Sequence, residues 1–455
     1  MILKYVFFNQ FAGALCAVCL VGLLAGVAIS WSSPVIPKLQ HPTDDNPFDQ
    51  PITAAQSSWM TSLMTLGSCT GCCLFGYLAH FLGRRPAMCA LNAPMALGYA
   101  LMALHPTIEV FYVARFLAGL SLGGGQITTL AYNSEISSKT NRGALMTFSA
   151  MMVSVGSLLG YCIGPWLSVT TFNLIIAVIT IAATLQAVLF CIETPYFYLM
   201  KGEEHLAKQS LIAYRGAGVN VDKEIEEIKE NIKEQREGNL SDVIKTKAFV
   251  RSFVTATVLL TFQQLTGING VLMFSQSIFE STGSNFSPAV CSIVLGALQV
   301  ASGAIGPLVA ERFRRRLLLA VSALGMAAAE AVLGVFCVLN DLGNVAPAMN
   351  FVPVASLCFF VFSYNFGVGP LCWIVGAEVF STRVKTWAFS ISIITYHGIG
   401  FFIAQYFNAV ASAIGIGELF FIFAGFCALC ILFIRFYLIE TKGKSLEEIQ
   451  CMLKT

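Results

Sequence analysis

Three amides stand close together in an otherwise apolar stretch, Gln263, Gln264 and Asn269, with Gly267 between them. An amide donates and accepts hydrogen bonds without carrying charge, so the set suits an uncharged solute rich in hydroxyls rather than proton transfer. The glutamines precede the asparagine by six and five positions, so all three reach one cavity only where the helix is locally loosened. Gly267 supplies that loosening. Hydrogen bonding from helix to helix is the competing use, and either use is cheaper than turning bare amides towards lipid. Trp373 follows a second break, Gly367, Gly369 and Pro370. Proline removes a helical hydrogen bond and glycine loosens the turn, so the indole can stack on a ring or swing as a gate. Taken alone, a Trp near a helix end reads equally as an interfacial anchor. No nucleophile, base or metal cluster stands out, which argues against an enzyme. Of the 15 cysteines, Cys16 with Cys19 and Cys427 with Cys430 are spaced as CxxC, but in apolar runs without His or carboxylate, so neither metal nor cofactor is expected.

The charged residues form a pattern that occurs twice. Arg84, Arg85, Glu135, Arg142 and Glu193 are repeated in order by Arg315, Arg316, Glu378, Lys385 and Glu440. Charge is expensive near hydrocarbon, so a duplicated set at helix ends implies two related helical bundles. The arginines can pair with Glu135 and Glu193 in one half and with Glu378 and Glu440 in the other, forming a latch; retention of positive residues on one face is the plainer account of the same pattern. Water-facing pairs of this kind contribute about 0–1 kcal/mol each.

The elements that must position these groups follow from composition. With 56% hydrophobic and 11% charged residues and a mean hydropathy of +0.73, the chain is a membrane protein. A span needs about 20 apolar residues, and candidates lie at 11–31, 60–82, 87–105, 109–131, 145–166, 171–191, 251–274, 288–310, 317–338, 351–375, 387–411 and 416–438. The expected fold is all-α, with twelve transmembrane helices in two pseudo-symmetric bundles: 1–192, a helical linker at 193–250, 251–438, and a tail at 439–455. Placing both termini in the cytosol leaves only Lys38, of 27 basic residues, in an outside loop. The first span reads as a retained anchor rather than a signal peptide.

In the linker, Ile225, Ile228 and Ile232 recur at helical spacing among charged partners, which predicts an amphipathic helix; an acidic disordered linker is the alternative. Gly156, Gly160 and Gly164, with Gly119 and Gly123, mark faces for close helix approach, whether static or sliding. Asn285-Phe286-Ser287 is an external glycosylation sequon close to the membrane, and Asn239-Leu240-Ser241 a cytosolic one expected to stay unmodified. Arg115 reads as a structural hydrogen-bond donor and Glu330 as a neutral, hydrogen-bonded carboxyl.

Taken together, Gly76, Gly83-Arg84-Arg85, Ala114-Arg115-Phe116-Leu117-Ala118-Gly119, Tyr132, Glu193-Thr194-Pro195, Gln263 to Asn269, Gly367-Val368-Gly369-Pro370 with Trp373, and Glu440-Thr441-Lys442-Gly443 resemble the sugar porter family of the major facilitator superfamily over nearly the whole chain. Its insect trehalose-carrying branch is the nearest pattern. The resemblance implies the major facilitator fold, a central sugar site reached alternately from each side, and a plasma-membrane location. It sets Gln299 beside the three amides, adds Gln126 as a further contact, and favours Trp373 at the site. Departures bear on substrate: His80, Ala150, Met273-Phe274, Arg314 and Tyr396 stand where the family usually has other residues. The first span carries no Asp or Glu, which favours facilitated diffusion over proton coupling. The expectation is a uniporter for a neutral sugar, trehalose or a hexose. The alternatives are a sugar sensor that no longer transports, for which the short stretch after Glu440 leaves little signalling room, and a carrier of another polyol or small neutral solute.

Overall fold

The protein is described from a computed structural model covering residues 2–42, 46–138, 142–216, 220–236, 243–282, 286–310, 312–381, 384–444 and 446–454. Lys139, Arg383 and both sequon asparagines, Asn239 and Asn285, lie outside the described residues, as does the side chain of Arg142.

Among the described residues the chain is helical, and twelve helices are long and apolar enough to cross a membrane. They are Ala12–Gln40, Ala54–Phe81, Arg84–Leu104, Ile108–Ile136, Leu145–Trp166 and Val169–Phe190, then Lys247–Met273, Pro288–Gly306, Arg315–Asp341, Val352–Glu378, Trp387–Ile414 and Ile416–Phe436, numbered here as spans one to twelve. Several run past the apolar stretch visible in sequence, and two of these start within polar residues behind a hydroxyl cap. Thr107 accepts from the Val110 amide and Thr246 from that of Phe249, satisfying N–H groups that a first turn leaves unpaired.

Two spans are broken where glycine and proline predict it. Span seven is interrupted at Gly267, whose φ of 75° is left-handed, between the helices Lys247–Leu265 and Ile268–Met273. A side chain there would be strained, and its Cβ would also meet Phe423 at 2.6 Å. Span ten breaks at Gly367, between Val352–Phe366 and Val368–Glu378. Ser322 of span nine repairs that break: its hydroxyl accepts from the Val368 amide at 2.8 Å and donates to the Ser363 carbonyl at 2.6 Å.

The chain forms two compact units, Met1–Ala25, Gly67–Val153 and Thr170–Asn239 in one, and Gly26–Leu66, Ser154–Val169 and Leu240–Thr455 in the other. The division therefore runs through spans one, two and five.

In the first unit, small residues let spans two and four touch along their backbones. A Cβ at Gly123 would come within 1.9 Å of the Ser68 carbonyl oxygen, and one at Gly71 within 2.2 Å of that of Leu120. Val18, Val21, Phe75, Met88, Leu91, Tyr132 and Tyr214 share one apolar core. The linker folds as Pro195–Lys201, Glu204–Arg215 and Asp222–Arg236. The amphipathic helix buries Ile225 against Ala207, Leu211 and Val221. Arg215 fastens this assembly: it pairs with Glu224 at 2.7 Å and donates to the Ile136 carbonyl at the end of span four, also at 2.7 Å. Tyr132 and Tyr214 both donate to the Ile192 carbonyl. Burial raises the Tyr214 phenol above its ordinary range, so it stays a neutral donor.

In the second unit, the second part of span one, the start of span two and the end of span five pack with spans seven to twelve. Ser33 meets Ser275 at 2.7 Å, Ser62 donates to Gln405 at 2.5 Å, and Tyr161 donates to the Leu272 carbonyl at 2.6 Å. The helix Leu446–Lys454 closes the other end, with Ile449 and Leu453 buried and Gln450 donating to the Val379 carbonyl at 2.6 Å.

Candidate solute site and duplicated charge clusters

The break in span seven turns Gln263, Gln264 and Asn269 into one polar group inside the second unit. Gln263 and Gln264 are fully buried and Asn269 half-buried. Asn269 Nδ2 donates to Gln264 Oε1 at 2.8 Å, which needs the chain to fold back across Gly267. Gln263 Nε2 donates to the Tyr364 hydroxyl at 2.7 Å and to the Gly369 carbonyl at 3.1 Å, beside the break in span ten. The next residue, Asn365, donates to the Gln299 carbonyl at 3.3 Å and to Ser302 Oγ at 2.9 Å, bringing span eight to the same place. Trp373 stands edge-on to Tyr396 at 5.3 Å and to Phe389 at 6.2 Å. Tyr396 in turn hydrogen-bonds the Asn269 side chain.

Three atoms of this group have no protein partner: Gln263 Oε1, Gln264 Nε2 and Gln299 Oε1. An unmet buried amide atom is unfavourable by about 1–3 kcal/mol. Two of them belong to residues just before the break in span seven, and the third to a residue whose carbonyl is held by Asn365 beside the break in span ten, positions suited to an incoming polar solute. Gln126, half-buried, lies on span four in the first unit.

The charge pattern folds into the same arrangement in each unit. In the first, Glu193 accepts from the backbone amides of Arg84 at 2.9 Å, Arg85 at 3.1 Å and Thr194 at 2.9 Å, so its carboxylate sits on the N-terminus of span three. The Arg84 guanidinium pairs with Glu135 at 2.8 Å, and Thr194 Oγ1 donates to the other Glu135 oxygen at 2.5 Å. In the second, Glu440 accepts from the amides of Arg315, Arg316 and Lys442 at 3.1, 3.3 and 3.2 Å, and Arg315 pairs with Glu378 and reaches Thr441. The second arginine of each doublet is used differently from a simple pairing partner. Arg85 gives its backbone amide to Glu193, and Arg316 gives its side chain to the carbonyls of Ile434 and Arg435 at the end of span twelve. Lys385, exposed, starts the helix of span eleven.

A family model described as "Sugar (and other) transporter" matches residues 16–453. The chain belongs to that family. This transporter-family protein is 30% identical over 457 residues to the human solute carrier family 2, facilitated glucose transporter member 6, covering 94% of this chain and 88% of that one. It is 27% identical over 439 residues to the facilitated trehalose transporter Tret1 of Bombyx mori, covering 96% and 85%. The xylose transporter XylE from E. coli, in a partially occluded inward-open conformation, superposes with a TM-score of 0.80 at 20% identity, over 96% of this chain and all of that one, which shows the fold. The protein is thus a twelve-span transporter-family member and not an enzyme.

Sequence reasoning did not single out Tyr364 and Asn365 of this transporter-family chain. The available signal was a polar pair, Ser363 apart, inside the apolar run Val352–Phe366 immediately before Gly367. Two other buried polar residues stay outside the site. Glu330 accepts from the Cys427 thiol at 3.3 Å, with Oε1 unpaired, and Arg115 donates to Tyr99 at 3.5 Å. Among the described residues no group of three or more His, Cys, Asp or Glu is placed to hold a metal.

Proposed function

We propose that this protein carries a neutral sugar, trehalose or a hexose, down its gradient as a uniporter of the plasma membrane, with both termini in the cytosol. The observation that carries the reading is the set of unpaired buried amide atoms on Gln263 and Gln264, beside the break in span seven, and on Gln299, whose backbone is held by Asn365 next to the break in span ten. Neutral donors and acceptors beside Trp373 and Tyr396 fit hydroxyls and a ring face, with no charge to hold an ion. The similarity to trehalose and glucose transporters supports the same reading.

The paired clusters Arg84–Glu135–Glu193 and Arg315–Glu378–Glu440 act, in this reading, as latches that favour closure at the cytosolic face. Their side chains are largely shielded, 10% and 12% exposed for Arg84 and Glu135, 19% and 32% for Arg315 and Glu378. Removing one member therefore costs more than the loss of a surface pair, because the other charge is left poorly solvated.

Uptake of labelled sugars by the full-length protein in sealed liposomes tests the proposal. Saturable entry that stops at the external concentration, with or without an imposed pH gradient, is the expected result. Concentrative accumulation driven by the pH gradient would refute uniport, and failure of every sugar to enter would refute the carrier reading itself.

A further inference from the structure

The two charge clusters match position for position, yet three arginines beside the second have no counterpart beside the first. Counted from Arg84 and Arg315, Phe81 and Gly83 stand where the second unit has Arg312 and Arg314. Counted from Glu193 and Glu440, Val188 stands where it has Arg435. The helix anchoring and ion pairing described above use Arg315, Arg316, Glu378 and Glu440 and none of these three. The first unit has no room for the exchange at Gly83, whose φ of 114° is left-handed and whose Cβ would collide with the Glu193 carboxylate. Arg314 instead has φ −65° and an exposed side chain.

The three arginines meet at one end of the second unit. Arg316, in the first turn of span nine, donates to the carbonyls of Ile434 at 3.2 Å and Arg435 at 2.7 Å, in the last turn of span twelve. Arg314 and Arg312 precede that contact by two and four residues, in a turn closed by the Phe313 amide on the Val309 carbonyl at 3.2 Å. All three side chains are exposed, and among the described residues none makes a hydrogen bond or ion pair. Glu311 lies outside the described residues; with its charge subtracted from the three, the net charge is still +2.

Apolar surface leads up to these charges. Leu317, Val321 and Leu324 recur at helical spacing on span nine, and Leu429, Leu432 and Phe436 on span twelve, each about half exposed or more. Each set is one uncovered helix face. On a membrane-spanning helix such a face is covered by lipid chains. Phe313, Phe436 and Tyr437, also exposed, adjoin the arginines in sequence, as rings do where chains give way to headgroups.

We propose that Arg312, Arg314 and Arg435 form a binding site for an anionic phospholipid, its headgroup held by the three guanidiniums and its chains lying along the uncovered faces of spans nine and twelve. A guanidinium suits phosphate because its planar fork gives two parallel N–H groups to the oxygens. Retention of positive residues on one face, the plainer use of arginine, requires neither their meeting at the ends of two spans nor an apolar face beneath them. In the orientation proposed above, the site opens to the cytosolic leaflet, whose surface is negative. A bound lipid adds a second tie between the ends of spans nine and twelve, beside that of Arg316.

The test follows the unfolding midpoint of full-length protein in neutral detergent, with phosphatidylserine, phosphatidylcholine and the chain-free headgroup glycerophosphoserine as probes. Phosphatidylserine is expected to raise the midpoint saturably, less so in high salt, and to do so at least about tenfold more potently than phosphatidylcholine. The joint variant Arg312→Gln, Arg314→Gln, Arg435→Gln loses at least about tenfold of that preference, since each basic residue near an anionic surface strengthens binding by about fivefold. The joint variant Lys245→Gln, Lys247→Gln, Arg251→Gln, which removes three exposed basic residues near the start of span seven, keeps the preference within about twofold. Equal effect of phosphatidylserine and phosphatidylcholine, or none from either, overturns the inference in the native protein alone. A preference that survives in the first variant, or falls equally in the second, overturns it too. Glycerophosphoserine acting as strongly as phosphatidylserine overturns a lipid as the occupant. Each of these outcomes is independent of whether any sugar is carried.

Discussion

Replacing Glu193 by glutamine keeps the side chain's shape and removes one acceptor oxygen and the charge. The carboxylate takes three backbone N–H groups, two on Oε1 from Arg84 and Thr194 and one on Oε2 from Arg85. An amide can serve the first two and then presents an NH2 to the third, donor against donor. A hydrogen bond to a charged group contributes about 1.5–3 kcal/mol, and an anion at a helix N-terminus a further 0.3–1 kcal/mol or so. Glu193→Gln is therefore expected to destabilise the first unit by about 2–3 kcal/mol. For a unit of roughly 200 residues that is a fall of about 5–10 °C in the unfolding midpoint, followed by intrinsic fluorescence in detergent at a fixed scan rate. Glu440→Gln is the internal comparison. Its bonds to Arg315, Arg316 and Lys442 are longer, 3.1–3.3 Å, and it is less buried, so its fall should be about half as large. A shift below about 1 °C for Glu193→Gln, or a larger one for Glu440→Gln, would refute the view that each glutamate anchors a helix start.

Gln263→Ala should reduce sugar uptake by about 10–100-fold at unchanged surface expression, since both an unpaired acceptor and the hold on Tyr364 are lost; undiminished uptake takes Gln263 out of the site. Gly123→Val should sharply lower the yield of monodisperse protein, because even its Cβ would lie 1.9 Å from the Ser68 carbonyl oxygen, while Gly425→Ala, with nothing within 4 Å, should behave as native. Size-exclusion profiles that fail to separate the two would remove the case for close packing of spans two and four. Glu378→Gln should increase labelling of a cysteine introduced inside the inward cavity, by loosening the Arg315 pair, and equal labelling rates in variant and native protein would count against a latch.

Hydropathy made the spans legible because burial in lipid demands long apolar helices, and the boundaries slipped where a helix runs on into polar residues, behind a Thr cap at Thr246 and past the apolar stretch at the end of span four, which continues to Ile136. The charge clusters were legible because arginine and glutamate at helix ends have few other partners. Sequence could not say which atoms would be used. Arg316 finds carbonyls of span twelve, and Arg85 contributes its backbone, because the glutamate is consumed by helix N-termini, a three-dimensional fact without a sequence signature. Tyr364 and Asn365 were hidden for a related reason. In a membrane-spanning run their polarity can be met by any neighbouring helix, and only the break at Gly367 turns them towards spans seven and eight. The compact units were equally invisible, since spans one, two and five show no change of composition at residues 25, 66 or 153.

Arg215 grips the last carbonyl of span four with one nitrogen and Glu224 of the next linker helix with the others. A tilt of span four is thereby handed to a water-soluble segment outside the bilayer, like a needle on a dial. A spin label or fluorophore on the outer face of Asp222–Arg236, at Lys223 for instance, would read that tilt without any probe being placed among the lipids.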